Sequence, residues 1–375
     1  MPDLRLHAAL LVALSGAPCV AFAQESTATP ASPEACFALD SDAARLSCYD
    51  RALGRKPADT QAADAAASAA QQLRKEAKAL DGEDPHRNEL FAHDELAAAA
   101  ANAGRGSLLD SRWELAKDSK LGLYQLRAYK PVYLLPAFWS SNPNRTPHSP
   151  NPRNTVTTPE GLNPTELKFQ LGFKTKVAEN LFGDNGDVWL GYTQSSRWQA
   201  YNADLSRPFR ETNYEPEAML VFRNGYSLLG WNGRMAGIGL NHQSNGRSDP
   251  LSRSWNRVIL NIGLDRENWA LVLRPWYRIP EGQRDDDNPD IEDYIGRGDA
   301  TLVWNRDGHE LSLTGRHSLR GGDRSHGSLQ LDYGFPINRR LRGHVQVFDG
   351  YGESLIDYNH RATYVGVGIS LLEWF

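Results

Sequence analysis

The sequence predicts an all-β fold, a twelve-stranded antiparallel transmembrane β-barrel with a small N-terminal helical and linker extension. Three observations point there. From about residue 122, apolar and polar residues alternate with period two in about twelve segments, separated by Gly, Asn, Asp and Pro turns. The N-terminus reads as a secretory signal. The last alternating segment runs to Phe375 with aromatic flanks, and a closed barrel leaves no strand edge unpaired. A soluble sandwich would also alternate; the signal, the length of the segments and the final residue favour the membrane barrel. Composition narrows the class further. A net charge of −5 gives no electrostatic reason to bind nucleic acid. Mean hydropathy is −0.55 and no run of 18 apolar residues follows the N-terminus, which excludes a helical membrane protein. The 10 Trp, 14 Tyr and 12 Phe suit a barrel with aromatic girdles.

Residues 1–23 form the expected signal. Arg5 and His7 give a weak basic start, "AALLVALSG" is the apolar stretch, and Ala21-Phe22-Ala23 fits cleavage before Gln24. A lipoprotein signal on Cys19 competes, but Pro18 precedes that cysteine and no aliphatic residue stands three before it. Residues 24–120 are expected to be a periplasmic unit and an Ala-rich linker. Cys36 and Cys48 remain after cleavage, in an oxidising compartment, where a disulfide is favoured over two buried thiols. Its short loop implies about 3 kcal/mol of stabilisation. "ADAAASAAQQLRKEAKAL" and "DELAAAAANA" suit helix or a semi-flexible tether.

Residues 121–375 are expected to be the barrel. "ELKFQLGFKTKV" puts Leu167, Phe169, Leu171 and Phe173 on one face, with Lys168, Gln170, Lys174 and Lys176 on the other. "DVWLGYTQ" repeats this with Val188, Leu190 and Tyr192, and "YVGVGISLLEWF" with Val365, Val367, Ile369 and Leu371. "GDNGD" and "SLRGGDRSHG" mark turns. "RDDDNPD" reads as a solvated loop rather than a pair of catalytic carboxylates.

One hairpin breaks the pattern. In "MAGIGLNHQS" the apolar face is Ala236, Ile238 and Leu240, and it continues into His242 and Ser244. In "WNRVILNIGL" the apolar face is Val258, Leu260, Ile262 and Leu264, and Asn256 continues it. A register pairing His242 with Asn256 also pairs Leu240 with Val258 and Ile238 with Leu260. Ser244, His242 and Asn256 then share the outer surface. They offer a nucleophile, a base and a group to orient that base. At the rim of a lipid-facing surface, the substrate would arrive from the membrane. Spacing alone also allows a plainer reading, polar residues at a strand end near the membrane interface.

"NHQSNGRSDPLSRSWNR" resembles the signature of the bacterial outer membrane phospholipase A family. "FRETNYEPE" at 209–217, "RPWY" at 274–277, "DDNPDI" at 286–291 and "GYGESLIDYN" at 350–359 resemble its segments in the same order. The resemblance covers roughly residues 122–375 and leaves 24–105 without a counterpart. It implies a twelve-stranded barrel in the Gram-negative outer membrane, with its active site on the outer-leaflet side. It also implies calcium-dependent hydrolysis of acyl esters of phospholipids and lysophospholipids, with A1 and A2 selectivity both allowed.

Residue by residue, Ser244 resembles the nucleophile, His242 the base, Asn256 the orienting residue and the Gly246 N–H an oxyanion donor. Arg247, through its carbonyl, and Ser252 resemble calcium ligands of one subunit, and Ser206 the ligand given by the other. Asp249 and Asp287 resemble a second calcium site, although the loop before Asp287 is longer than the family pattern. Gln194, in "GYTQSSRWQ", falls on the lipid-facing side and resembles an interface residue of a homodimer that is the active form. A non-catalytic pore or anchor barrel is the competing function. The lumen faces are rich in Lys, Arg, Gln and Asn, which points to a filled interior rather than a channel.

Overall fold

The computed structural model describes residues 33–38, 107–116, 119–282, 285–338 and 341–375, with residues 45, 46, 48, 49, 52 and 53. The signal segment with Cys19, and the linker at 54–105, lie outside them. The chain divides into two compact units, Met1–Asp59 and Thr60–Phe375. In the first, a 3-10 helix spans Pro33–Ala38, a disulfide joins Cys36 to Cys48, and Phe37 meets Tyr49 edge to face at 6.0 Å.

In the second unit, thirteen strands among the described residues form one antiparallel sheet. They are β1 (Leu126–Ala128), β2 (Val132–Ser140), β3 (Thr165–Ala178), β4 (Asp187–Trp198), β5 (Phe209–Leu228), β6 (Trp231–Ser244) and β7 (Ser254–Arg266). Then come β8 (Trp269–Ile279), β9 (Gly298–Arg306), β10 (His309–His317), β11 (Gly327–Pro336), β12 (Arg342–Tyr351) and β13 (Arg361–Leu372). Each strand from β3 onward pairs with the next, and β2 closes the ring by pairing with both β13 and β3. The short β1 lies along β3 beyond the end of β2, past a break that contains Pro131. Proline has no N–H for the ladder, so an interruption there is expected. The barrel therefore has twelve staves, as the alternation predicted.

Short turns gather at one end. Asp307 and Gly308, with φ of 54° and 78°, make the two-residue turn between β9 and β10. The long connections, 199–208, 245–253, 280–297, 318–326 and 352–360, lie at the other end.

Outward faces are apolar, with Leu171, Leu190, Leu240, Leu260 and Leu371 exposed. Inward faces are charged yet buried, as with Lys168, Lys174, Arg197, Glu217 and Arg274. Such an inverted pattern suits a wall between lipid and a polar lumen. Buried charge is tolerable only when paired, and Lys168, Arg197, Glu217 and Arg274 are. Lys168 and Arg197 both reach Glu353 at 2.7 Å, Arg274 reaches Glu217 at 2.8 Å, and Arg210 bridges Glu166 and Asp357. A polar cavity of only about 200 Å³ remains among these side chains.

Both ends are stopped. At the short-turn end, helix α1 (Leu108–Trp113) enters the barrel. Ser107 caps it, accepting the Asp110 N–H and donating to Asp265. Leu109 and Trp113 pack with Tyr129, Trp189, Met219 and Met235. At the long-loop end, 352–360 folds inward, burying Glu353, Leu355 and Tyr358.

Candidate active site

The site stands where β6 and β7 meet the long-loop end. Their register pairs His242 with Asn256, Leu240 with Val258 and Ile238 with Leu260, as the apolar pattern requires. His242 Nδ1 lies 2.8 Å from Asn256 Oδ1. The Asn256 amide nitrogen donates to Glu281 Oε1 at 2.9 Å. With that nitrogen engaged, Asn256 presents its oxygen to His242 and accepts from Nδ1–H. Nε2 is then the proton-accepting nitrogen.

Ser244 lies two residues along the same face, between Ser254 of β7 and Tyr214 of β5. The hydrogen bonds of His242 do not include Ser244. Catalytic contacts of this kind often tighten only when substrate is bound. His242 is exposed, while Ser244 and Asn256 are half-buried.

The loop after Ser244 is held rigidly. Asn245 is buried; its side-chain oxygen accepts from the N–H groups of Arg247 and Arg253, and its nitrogen donates to Leu251 O and Glu211. Gly246 follows with φ of 62°, and a Cβ there would meet the Tyr214 ring at 3.0 Å. Both facts call for glycine. Among the described residues the Gly246 N–H makes no hydrogen bond. The fully buried Arg253 ties the loop to Pro250 O, Ser252 O and Asn154 O.

Oxygen atoms collect beside this loop. The Asn154 amide nitrogen lies 3.1 Å from Asp249 Oδ1, 3.2 Å from Ser252 O and 3.2 Å from Asp287 Oδ1. The Asn154 side-chain oxygen, on a residue with no exposed surface, has no hydrogen-bond partner. Ser252 Oγ donates to Asp287 Oδ2 at 2.6 Å. Turning the Asn154 amide over would add a further oxygen to the set. Oxygen-only surroundings suit a hard divalent cation. Among the described residues, no three His, Cys, Asp or Glu side chains group as a metal site. The donors here are mixed, with carboxylates, a hydroxyl, a carbonyl and an amide.

Of the remaining sequence candidates, Ser206 and Gln194 fall elsewhere. Arg247 is exposed in the same loop as Ser252. Ser206 is on the connection between β4 and β5, where it and Arg207 both have positive φ, 57° and 55°. Gln194 faces outward on β4, accepting from Tyr192 OH at 3.1 Å and donating to Ser196 at 3.4 Å. The loop "RDDDNPD" is solvated only in part, with Asp285 and Pro289 exposed. Asp286 is buried and accepts from Arg278 at 2.6 Å, and Asn288 is fully buried, accepting from Ser254 N–H.

Four contributors escaped the sequence reading: Asn154, Asn245, Arg253 and Glu281. Glu281 had a usable signal. Asn256 pairs with Ile279, and Glu281 lies two residues beyond it on the same outward face. Burial raises the Glu281 pKa, helped by nearby Asp286 and Asp287, against the pull of the Asn256 N–H and Arg278.

Comparison with known proteins follows the same outline. A family model described as phospholipase A1 matches residues 109–371. A putative phospholipase A1 of Neisseria meningitidis serogroup B is 37% identical over 351 residues, covering 89% of each chain. The crystal structure of a Salmonella typhi outer membrane phospholipase dimer with bound calcium superposes with a TM-score of 0.62 at 35% identity. It covers 72% of this chain and 99% of that one. An Escherichia coli outer membrane phospholipase A in which an active-site Asn is replaced by Ala gives a TM-score of 0.60 at 34% identity. It covers 72% of this chain and all of that one, 100%.

Proposed function

Because this chain belongs to the phospholipase A1 family, an acyl ester hydrolase family, we propose that it hydrolyses phospholipids and lysophospholipids in the Gram-negative outer membrane, using Ser244, His242 and Asn256. One observation carries this reading. A His–Asn hydrogen bond of 2.8 Å sits on the outer, lipid-side face of a barrel, beside a serine on the same strand face. Polar side chains in such a place are energetically costly, so their presence points to a function.

Ser244 Oγ attacks the ester carbonyl carbon while His242 Nε2 takes its proton. Asn256 holds the ring and accepts from Nδ1–H as imidazolium forms. The Gly246 N–H donates to the developing oxyanion. His242 then returns the proton to the departing glycerol oxygen, leaving the acyl group on Ser244. Water, deprotonated by His242, releases the fatty acid and restores the serine.

Calcium fits the oxygen-rich loop, where it would supply positive charge near the oxyanion. Arg247 through its carbonyl and Ser252 through its hydroxyl would hold it, with the partner subunit's Ser206 completing the set. Asp249 and Asp287, gathered around Asn154, would form the second site. A shared set makes the homodimer the active form, with Gln194 at its interface. The short turns then face the periplasm and the site opens at the outer leaflet; the extension expected over 24–120 ends before Ser107, because Leu108–Trp113 packs inside the barrel. The pore reading is disfavoured by the stopped ends of the lumen.

The test is fatty-acid release from phospholipid mixed micelles, with wild type and Ser244→Ala, each with calcium and with chelator. Release should require both the serine and the ion. Full release by Ser244→Ala would remove the nucleophile assignment.

A further inference from the structure

We propose that Glu281 is a positioning residue of this relay, its carboxylate holding the Asn256 amide with the oxygen toward His242; the inference rests on the triad reading above. Asn256 stands between two partners, His242 at 2.8 Å and Glu281 at 2.9 Å. The two ends of an asparagine amide are nearly the same in size and opposite in hydrogen bonding. Turned over, Asn256 would offer an N–H to His242. Nδ1 would then have to accept, and the ring proton would move to Nε2, the atom that must take the serine proton. Such a tautomer cannot serve as the base.

An ionised carboxylate only accepts, so Glu281 selects the amide nitrogen and leaves the oxygen for His242. Its placement follows from the sheet. β8 pairs Ile279 with Asn256, and Glu281 continues that face past Pro280. The neighbouring cation does not draw it away, because Arg278 is committed to Asp286 and to Pro289 O. Glu281 also sets a carboxylate two hydrogen bonds from the imidazolium, a charge that Asn256 itself lacks.

The experiment measures kcat and KM for fatty-acid release by the full chain with calcium, with Ser244→Ala as control. Glu281→Ala should lower kcat about tenfold, equal to ~1.4 kcal/mol, with KM unchanged. Glu281→Gln, which keeps an acceptor oxygen, should recover most of that loss. The decisive arm starts from Asn256→Asp. A carboxylate at 256 has two accepting oxygens and needs no orienting, and Glu281 beside it becomes a like charge. Adding Glu281→Ala to Asn256→Asp should therefore raise the rate, reversing the sign seen in the native background. A structural role in the 280–297 loop would cost activity in both backgrounds. A double variant equal to or slower than Asn256→Asp overturns the proposal, as does a native-background Glu281→Ala with unchanged kcat. Should Ser244→Ala keep its activity, the triad itself falls, and that failure is read separately.

Discussion

The β6–β7 hairpin is polar on both faces near its long-loop end, and the two faces treat their polar groups differently. Inside, Arg257 donates to Asn241, Gln243 and Glu215, Trp255 donates to Gln243, and Asn241 donates to Glu215. Every member is buried or nearly so, and the Arg257 guanidinium stacks 4.1 Å from the Trp255 ring. Outside, one residue away on each strand, the chain Glu281–Asn256–His242 is linear. It stops short of Ser244, with His242 open to the surroundings. The inner network is closed and leaves nothing reactive. The outer line has a loose end, and chemistry is proposed at that end. Polarity alone therefore does not set the two faces apart; what distinguishes the proposed site is an unfinished hydrogen-bond chain.

That contrast can be tested directly. Ser244→Ala should lower release by at least about a thousandfold while leaving the barrel's thermal unfolding unchanged. Loss of fold would move the outer row into the structural class. Chelation of calcium should lower wild-type release by about a hundredfold, on the scale of losing oxyanion stabilisation, and calcium should restore it. A chelator-resistant rate would leave the oxygen cluster a purely structural knot. Arg257→Ala, on the inner face, should do the reverse. It strips one of two cations from buried Glu215, so it should cost about 3 kcal/mol in urea unfolding while kcat per folded molecule stays near wild type. A large kcat loss with normal stability would erase the difference between the faces. The smallest effect should come from Gln194→Ala, which should weaken chemical crosslinking of the dimer a few-fold, about the worth of one hydrogen bond. Unchanged crosslinking would remove Gln194 from the interface.

The strands and this register were legible because period two is a strict rule. Once Leu240 and Val258 share a face, a slip of one residue would turn Ile238 and Leu240 of β6 inward. The trio followed from the same rule. Helix α1 was not legible. It follows an Ala-rich stretch, and the partners that make Leu109 and Trp113 core residues come from β4, β5 and β6, far along the chain. Asp286 was misread because acidic runs are usually solvated, and its partner Arg278 lies on a strand face that only the fold reveals. Asn245 and Asn154 were invisible for a related reason. Asn245 organises backbone groups of its loop and Asn154 gathers Asp249, Asp287 and Ser252 O from segments far apart in the chain, and such work leaves no pattern in side-chain spacing.

The proposed reactive row is divided between two strands and completed by a third segment, and that division bears on how the cell handles the chain before it reaches its destination. His242 meets Asn256 only after the hairpin has zipped into register, and Glu281 joins only after β8 has been added. An enzyme that attacks membrane lipid would be hazardous to the inner membrane it must cross during export. If the proposed row is the active site, its parts are spread over about forty residues of chain before the strands pair, and the polypeptide is inactive until they do. Assembly of the wall is then a first safety catch, ahead of the pairing of subunits proposed above.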